Sequence, residues 1–583
     1  MVSSTIRRPA GLWLISVPAI LVIAATILPT VSSFMSTTTT TTSERYNYNI
    51  IHNTFQTTTN IHAMSSSTTD ELSGAAYTHS ADEEQRLENL AANLNAALEA
   101  CSKDVTRTCN VKIGVSKNID GEGYGIPENM RLGWIATKAV SKGDILMNMP
   151  YDEQWEISPK VARKTVFDGV LDDAYEGWTG DAGLVALQLL NEIAKTASSA
   201  GIPKPKRGPQ IQAFVDEWIK ALPTPDELQT LHPIFWSEGD QESLQSSSNT
   251  KIYRVLDDLE EDANWLVENI FEKNRDTYPE TVTLNGNELP CFSVEGYKWA
   301  MALTNSRSCF VDGSIRLLPF MDMCNHDDDA KELRGGFMGT FGTTKGAEVL
   351  ASKRYKAGEE VFLSHGPKSA ADYLLEHGFC PRDSWKTAVS EVTLELDSED
   401  RFYEDKLDVL EFETYDQAPM DPSQSFDVIS APGRDGEIDP AFMQFARLAK
   451  LGNMDAFLLE SVFRKEIWGF MAYPISESNE LAVVEAIVEI CETSLEDMKV
   501  SDDETGPNAA LCARLRETES KALKRTLEFM LREKEALDLK EYYQERRLKE
   551  LGLDSDWAPE DDIANPDLSF GQTRLPGGAD FDW

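Results

Sequence analysis

The chain has 583 residues, 41% of them hydrophobic and 9% aromatic, enough apolar material to build the cores of two or three domains. Its 98 acidic residues outnumber 55 basic ones, for a formal charge of −43. That balance argues against nucleic acid or an anionic membrane surface as a partner, since both are held by clustered Lys and Arg. It fits a basic protein partner, and equally a solvated surface that keeps the chain soluble. The eight cysteines are scattered without a C-x-x-C pair, which excludes a dense disulfide framework and a zinc site of paired thiolates, so they read as reduced core residues and no metal is expected.

Arg7 and Arg8 precede an apolar run, Gly11 to Val31, that closes on Ser32 and Ser33. Residues 1–33 thus have the layout of a signal peptide, with Val31 and Ser33 suited to the cleavage site. The run is also just long enough to act as an uncleaved membrane anchor. Residues 34–80 form a Thr/Ser-rich, transit-like segment too polar to fold alone. The two together, with Phe34 just past the cut, resemble the two-part presequence of plastid proteins in algae with secondary plastids, although basic residues are scarce. A plastid is the expected location; the alternative is the secretory pathway or a membrane anchor. No N-x-S/T sequon occurs, which argues against a mature secreted glycoprotein.

From Glu84 to Ala100 the spacing of Leu87, Leu90, Leu94 and Leu98 predicts a helix. Gly133 to Pro150 alternates and turns at Lys142–Gly143–Asp144, which predicts two strands paired with each other. Residues from about 152 to 300 carry helical patterns, among them Leu184-Leu187-Leu190 and Phe214-Trp218-Leu222, with a polar loop at Ser237 to Thr250. Strand-like text returns from Ile315 to Ser364. Beyond Trp385 one further strand precedes helices. Asp439 and Pro440 supply an N-cap and a first-turn proline for Ala441 to Gly452. Leu481, Val484, Val488, Cys491, Leu495 and Met498 mark an apolar face, and Leu511 to Leu551 is a long charged helical region. Residues 554–583 are acidic and rich in Pro and Gly, composition typical of a disordered tail.

Two stretches carry chemistry: Leu317 to His326, LLPFMDMCNH, and Gly358 to Pro381, GEEVFLSHGPKSAADYLLEHGFCP. Through Pro319, Asp322, Asn325, His326, Gly358, Glu359, Glu360, Gly366, Ser369, Leu374, Leu375, Gly378 and Phe379 they resemble the cofactor and active-site half of SET-domain methyltransferases, in particular the Rubisco large-subunit lysine methyltransferase-like family. Both tyrosine positions of that pattern hold histidine here, His365 and His377, and the Asn after Ser369 is Ala370. The resemblance implies an α+β fold. It has a SET domain of short β-sheets over residues 81–385, a helical insert at about 152–300, and an all-α substrate-binding domain over 386–553.

By the same resemblance the reaction is protein-lysine methylation from S-adenosylmethionine, on a protein substrate that bears a lysine and belongs to the plastid; a related branch methylates histidine. Methyl transfer needs a neutral amine in line with the methyl group and a site that excludes water. The family's first cofactor element, a Gly-x-Gly-type turn, falls on Arg131–Leu132–Gly133, with only the second glycine retained. Leu132, Gly133, Arg307, Asp322, Asn325, His326 and Phe379 are the implied cofactor residues, with Arg307 near the polar end and Phe379 stacking on the adenine. Asn325-His326 followed by three aspartates also reads as a polar turn or a metal loop, although nothing else in the chain has ligand spacing.

His365 and His377 are the implied catalytic positions. A neutral imidazole offers one donor and one acceptor nitrogen near operating pH. His365 would therefore orient or deprotonate the acceptor amine, with activity rising through the histidine range. The alternative is a catalytically weak SET-derived module whose helical tail binds protein. A secretory or membrane-anchored adhesive protein accounts for the amino terminus but leaves the SET-like half unexplained.

Overall fold

The computed structural model describes residues 81–553, except 106–107, 117–130, 152, 166–179, 198–206, 229–231, 245, 247–248, 328, 339–343, 367, 382–387, 413–417, 430–437 and 500–507. The signal-like and transit-like segments and the acidic carboxyl-terminal stretch lie outside the described residues. Helix α1 (Ala81–Val105) buries Leu87, Ala91, Leu94, Leu98 and Cys101 along one face, the spacing that an amphipathic helix requires. Its Asn95 amide donates to the Ile113 carbonyl (2.8 Å) and accepts from the Ile113 N–H (2.9 Å). An otherwise open strand edge is thereby closed by a side chain.

Two four-stranded sheets follow. The first runs in the order β1 (Thr108–Cys109), β4 (Ile145–Pro150), β11 (Thr344–Leu350), β10 (Arg334–Met338). The second runs β2 (Val111–Ser116), β3 (Arg131–Ala136), β12 (Glu360–Leu363), β9 (Asn325–His326). The expected pairing of the strands within Gly133 to Pro150 does not occur. The turn at Gly143 (φ 89°) carries the chain from one sheet to the other, so that β3 pairs with β2 and β12 while β4 pairs with β1 and β11. In the second sheet all pairs are antiparallel except β9 with β12, which sets Asn325 beside Phe362 and His326 beside Leu363 in parallel.

The insert between the strand-rich parts is helical: α2 (Pro159–Thr165), α3 (Gly180–Thr196), α4 (Pro209–Lys220), α5 (Pro225–Leu228), α6 (Glu238–Glu242) and α7 (Asn249–Leu266). Helix α6 occupies part of the stretch read as a polar loop, because the Ser237 hydroxyl caps it through the Asp240 N–H. A short hairpin, β5 (Thr281–Leu284) and β6 (Asn287–Pro290), turns at Asn285–Gly286 with positive φ at both, the geometry of a tight two-residue turn. Next come α8 (Val294–Arg307) and the hairpin of β7 (Cys309–Val311) and β8 (Ser314–Arg316), and then the strands above. One continuous core joins α1, both large sheets, α3, α4 and α8, with Trp134, Trp155, Trp218 and Trp299 all buried.

Helix α9 (Ala370–His377) leads to the carboxyl-terminal half. That half is not all-helical. Strand β13 (Val389–Glu395) pairs over its whole length with β14 (Ser423–Ile429), across α10 (Tyr403–Glu411). The helices are α11 (Pro440–Ala449), α12 (Ile467–Met471), α13 (Glu477–Asp497), α14 (Ala509–Glu535) and α15 (Tyr543–Glu550). Asp439 caps α11 as its sequence requires, accepting from the Ala441 N–H at 2.8 Å. The long region from Leu511 breaks at Ala536 to Tyr542 rather than running through as one helix.

These elements share a second core, with Phe426, Phe442 and Phe445 in ring contact. A third, smaller cluster joins Trp236, Leu244 and Ile252 to α9 and to Leu511, Cys512 and Leu515 of α14. All eight cysteines are free thiols, six of them buried. Among the described residues no helix is long and apolar enough to cross a membrane.

Candidate functional site

Three imidazoles form a stack where β9, β12 and α9 meet. His326 and His365 lie 5.0 Å apart between centroids at 15°, and His365 and His377 lie 4.8 Å apart at 16°. The local chain explains the arrangement. The parallel pairing of β9 with β12 fixes His326, and β12 ends two residues before His365. Gly366 then turns at φ 89°, and its carbonyl accepts from the Tyr373 hydroxyl at 2.7 Å. Ser369 and Asp372 form a capping box that starts α9, and Gly378 ends it in the left-handed region (φ 73°), which places Phe379 against His326, Tyr373 and His377.

Hydrogen bonds assign donor and acceptor roles to ring nitrogens of the outer two rings. The His365 backbone N–H donates to His326 Nδ1 at 3.1 Å, so that nitrogen carries no proton. His377 Nε2 faces Lys368 Nζ at 3.2 Å and must accept from it, which leaves Nδ1–H to donate to the Ser306 carbonyl at 3.2 Å. Lys368 is in turn paired with the Glu376 carboxylate. Among the described residues no hydrogen-bond partner reaches the ring nitrogens of His365.

Burial pushes the pKa of His365 well below the usual histidine range, and His326, Lys368, Arg131 and Arg307 add to the effect. His377 is pushed down in the same way, first by burial and then by Lys368. His365 nevertheless keeps partial exposure, so it is neutral at physiological pH and still within reach of a ligand. A titration of His365 is therefore not expected in the ordinary histidine range. No group of three His, Cys, Asp or Glu side chains able to hold a metal is formed among the described residues.

A second part of the site adjoins the stack. Arg307 ends α8 and pairs with the Asp322 carboxylate at 2.9 Å; the Asp322 side chain is fully buried and the Arg307 side chain 21% exposed. Trp218 Nε1 reaches both Asp322 oxygens at 3.1 Å. Burial raises the Asp322 pKa, opposed by Arg307. Just before Asp322 the chain is strained, because Phe320 has φ 79°; its carbonyl accepts from Trp134 Nε1 at 2.9 Å and the two rings are in contact.

Leu132 and Gly133 lie inside β3 rather than in a turn. Gly133 has no side chain because a Cβ there would stand 2.6 Å from Asn325 Nδ2 and 2.8 Å from Glu360 Oε1. The structure thus brings Leu132, Gly133, Asn325, His326, His365, His377 and Phe379 into one neighbourhood, with Arg307 and Asp322 as an adjoining ion pair. Sequence reading missed Trp218, Lys368, Tyr373 and Glu376 as members and named Glu360 only as part of the motif, without a role. Tyr373 stands one helical turn before His377, a spacing that could have revealed it.

Residues 397–537 match the family described as "Rubisco LSMT substrate-binding". The chain is 28% identical over 448 residues to the chloroplastic ribulose-1,5 bisphosphate carboxylase/oxygenase large subunit N-methyltransferase of Nicotiana tabacum, covering 73% of this chain and 81% of that protein. It is 27% identical to the chloroplastic [fructose-bisphosphate aldolase]-lysine N-methyltransferase of Arabidopsis thaliana, covering 73% and 82%. Over 205 residues it is 27% identical to the actin-histidine N-methyltransferase of Xenopus tropicalis, covering 33% and 32%. Among solved structures, the SET domain of LSMT bound to lysine and AdoHcy superposes with a TM-score of 0.62 at 24% identity, covering 83% of this chain and all of that one. Rubisco LSMT bound to AdoMet gives 0.59 at 23%, covering 82% and 99%.

Proposed function

We propose that this chain, a SET-domain protein of the Rubisco large-subunit methyltransferase-like family, is an S-adenosylmethionine-dependent protein methyltransferase with lysine as its acceptor. The observation that carries the reading is the position of His365. It is the central ring of the stack, neutral, partly exposed and with no hydrogen-bond partner on its ring nitrogens among the described residues.

The residues present fit the cofactor. Arg307 offers a guanidinium steadied by Asp322, Asn325 an amide whose oxygen is left over once its nitrogen is engaged, and His326 and Phe379 offer flat faces. Arg307 and Asn325 would hold the amino-acid end, Phe379 and His326 the adenine, with Leu132 and Gly133 as backbone alongside. When bound, S-adenosylmethionine supplies a methyl group made electrophilic by its sulfonium. The chain's own part is to orient the acceptor. A neutral imidazole at position 365 accepts a hydrogen bond from an amine N–H and aligns the nitrogen lone pair. Lys368 and Arg307 disfavour a second positive charge nearby and so favour the neutral, nucleophilic form of the incoming lysine. With its pKa so low, His365 is a weak base and works as an acceptor rather than as a store for the released proton.

The helical second half, with its own core, is read as the docking surface for the protein substrate. A plastid location is supported by the presequence-like amino terminus and by relatives named as chloroplastic.

The second reading, a SET-derived binding module, rests on one observation: Tyr373, the phenol in contact with the stack, commits its proton to the Gly366 carbonyl. Incubating the purified chain with labelled S-adenosylmethionine and soluble plastid protein separates the two. Methyl-lysine in digested targets supports the enzyme, and methyl-histidine would move the acceptor. No incorporation by a protein that still binds S-adenosylhomocysteine favours the module.

A further inference from the structure

We infer that Glu360 is a positioning residue that sets which face the Asn325 amide turns to the cofactor; this rests on the cofactor reading above. Asn325 Nδ2 donates to Glu360 Oε1 at 2.7 Å and to the Leu132 carbonyl at 3.3 Å. The other carboxylate oxygen, Oε2, accepts from the Ser116 hydroxyl at 2.7 Å. Both Glu360 carboxylate oxygens act as acceptors here, one from Asn325 and one from Ser116, so the pairing selects one of the two amide orientations: nitrogen toward Glu360, oxygen away from it. The Asn325 oxygen is therefore left as an acceptor turned away from Glu360, suited to a donor such as an ammonium group. A leucine or alanine at 360 would leave only the longer bond to the Leu132 carbonyl to hold the amide in this orientation.

The geometry is built from several strands at once. Ser116 ends β2, Leu132 and Gly133 belong to β3, Glu360 begins β12, and Asn325 begins β9. Gly133 supplies the clearance, since any side chain there would collide with both partners of the Asn325–Glu360 bond. The interaction also spans the second sheet from its β2 edge to its β9 edge, so the same carboxylate ties the parallel β9–β12 crossing to the antiparallel part.

Glutamine at 360 keeps the arrangement, because its Oε1 can accept from Asn325 while its Nε2 donates to the Ser116 hydroxyl, which serves as donor or acceptor. Methionine has the length but offers no comparable acceptor. Asp at 325 sets two carboxylates against each other, and the Asn325→Asp/Glu360→Gln pair restores a donor facing an acceptor.

The test is calorimetric titration of the full chain with S-adenosylhomocysteine, with thermal melts of each variant. Glu360→Gln is expected to bind within about threefold of wild type and Glu360→Met roughly tenfold or more weakly. Glu360→Met should also raise KM for the cofactor more than it lowers kcat. Asn325→Asp should lose binding, and adding Glu360→Gln should recover part of it. That recovery decides the matter even if Glu360→Met fails to fold. Wild-type protein that takes up no S-adenosylhomocysteine overturns both this inference and the cofactor reading. Wild-type affinity in folded Glu360→Met, or no recovery in the double variant, overturns this inference alone.

Discussion

The ring of His365 lies against the ring of His377, centroids 4.8 Å apart and planes within 16°, and only His377 has its nitrogens committed, to Lys368 and to the Ser306 carbonyl. The outer ring thus acts as a fixed wall against which the central one is held. A phenol in the central position would offer a hydroxyl; here the same place offers an sp² nitrogen.

His365→Ala should lower kcat by about a hundredfold, the scale of a lost alignment, while changing affinity for S-adenosylhomocysteine little. Single-turnover methyl incorporation with wild type, His365→Ala and His365→Tyr checks this. In wild type no inflection from His365 is expected between about pH 6 and 9, because burial holds it neutral throughout. A rise in that range belongs to deprotonation of the acceptor amine. Equal rates for wild type and His365→Ala remove the residue from the mechanism.

Stability should fall on mild acidification. His232 is fully buried, with its pKa pushed down to about 4, while His365 and His377 are pushed down in the same direction. The unfolded chain binds these protons from about pH 6.5 downward and the folded chain does not. The stabilisation is therefore complete above about 6.5 and is lost as pH falls through the folded values. For His232 alone it amounts to about 3 kcal/mol. Thermal melts from pH 8 to 5 should show a shallower slope for His232→Gln, which keeps a donor for the Glu376 carbonyl. An identical slope would contradict the assignment.

Arg307→Ala leaves the buried Asp322 carboxylate with Trp218 but without its counter-charge. The cost is about 3–5 kcal/mol at neutral pH, the range for breaking a buried pair. Because protonating Asp322 relieves the uncompensated charge, the variant should lose less stability at pH 5 than at pH 8. Chemical denaturation at the two pH values measures the difference, and the opposite ordering would count against it.

Gly378→Ala should destabilise by about 1 kcal/mol or more, since φ at that position is 73° and an L side chain is strained there. Gly378→Asn should cost less, as Asn tolerates that region. Both are read by thermal melting. Alanine behaving no worse than asparagine would show that the turn had been re-formed in another way.

Much of the site was legible because its residues sit close to one another in sequence: Asn325 and His326 on one strand, His365 to Phe379 across one turn and one short helix. What escaped depends on long-range contact. Trp218 reaches Asp322 from the insert, and Glu360 meets Ser116 across the second sheet; neither has a local signature. The strand alternation around residue 143 was visible, but which sheet each strand joins was not, because pairing is decided by partners 200 residues away. Strand β14 was overlooked among helical text, since Phe426 and Val428 alone carry its alternation.

The small cluster that joins α9 to α14 has a consequence for evolution and for dissection of the molecule. Arg516 donates to the Ser243 and Leu244 carbonyls, Arg514 donates to the Cys380 carbonyl, and Leu511, Cys512 and Leu515 are buried against the helix that carries His377. The amino-terminal end of α14, more than 100 residues beyond the last strand of the second sheet, is thus part of the floor beneath the histidines. The carboxyl-terminal half cannot be exchanged like a cartridge. A replacement from a relative must bring matching apolar and arginine positions on this one helix, or the helix beneath the stack loses its support.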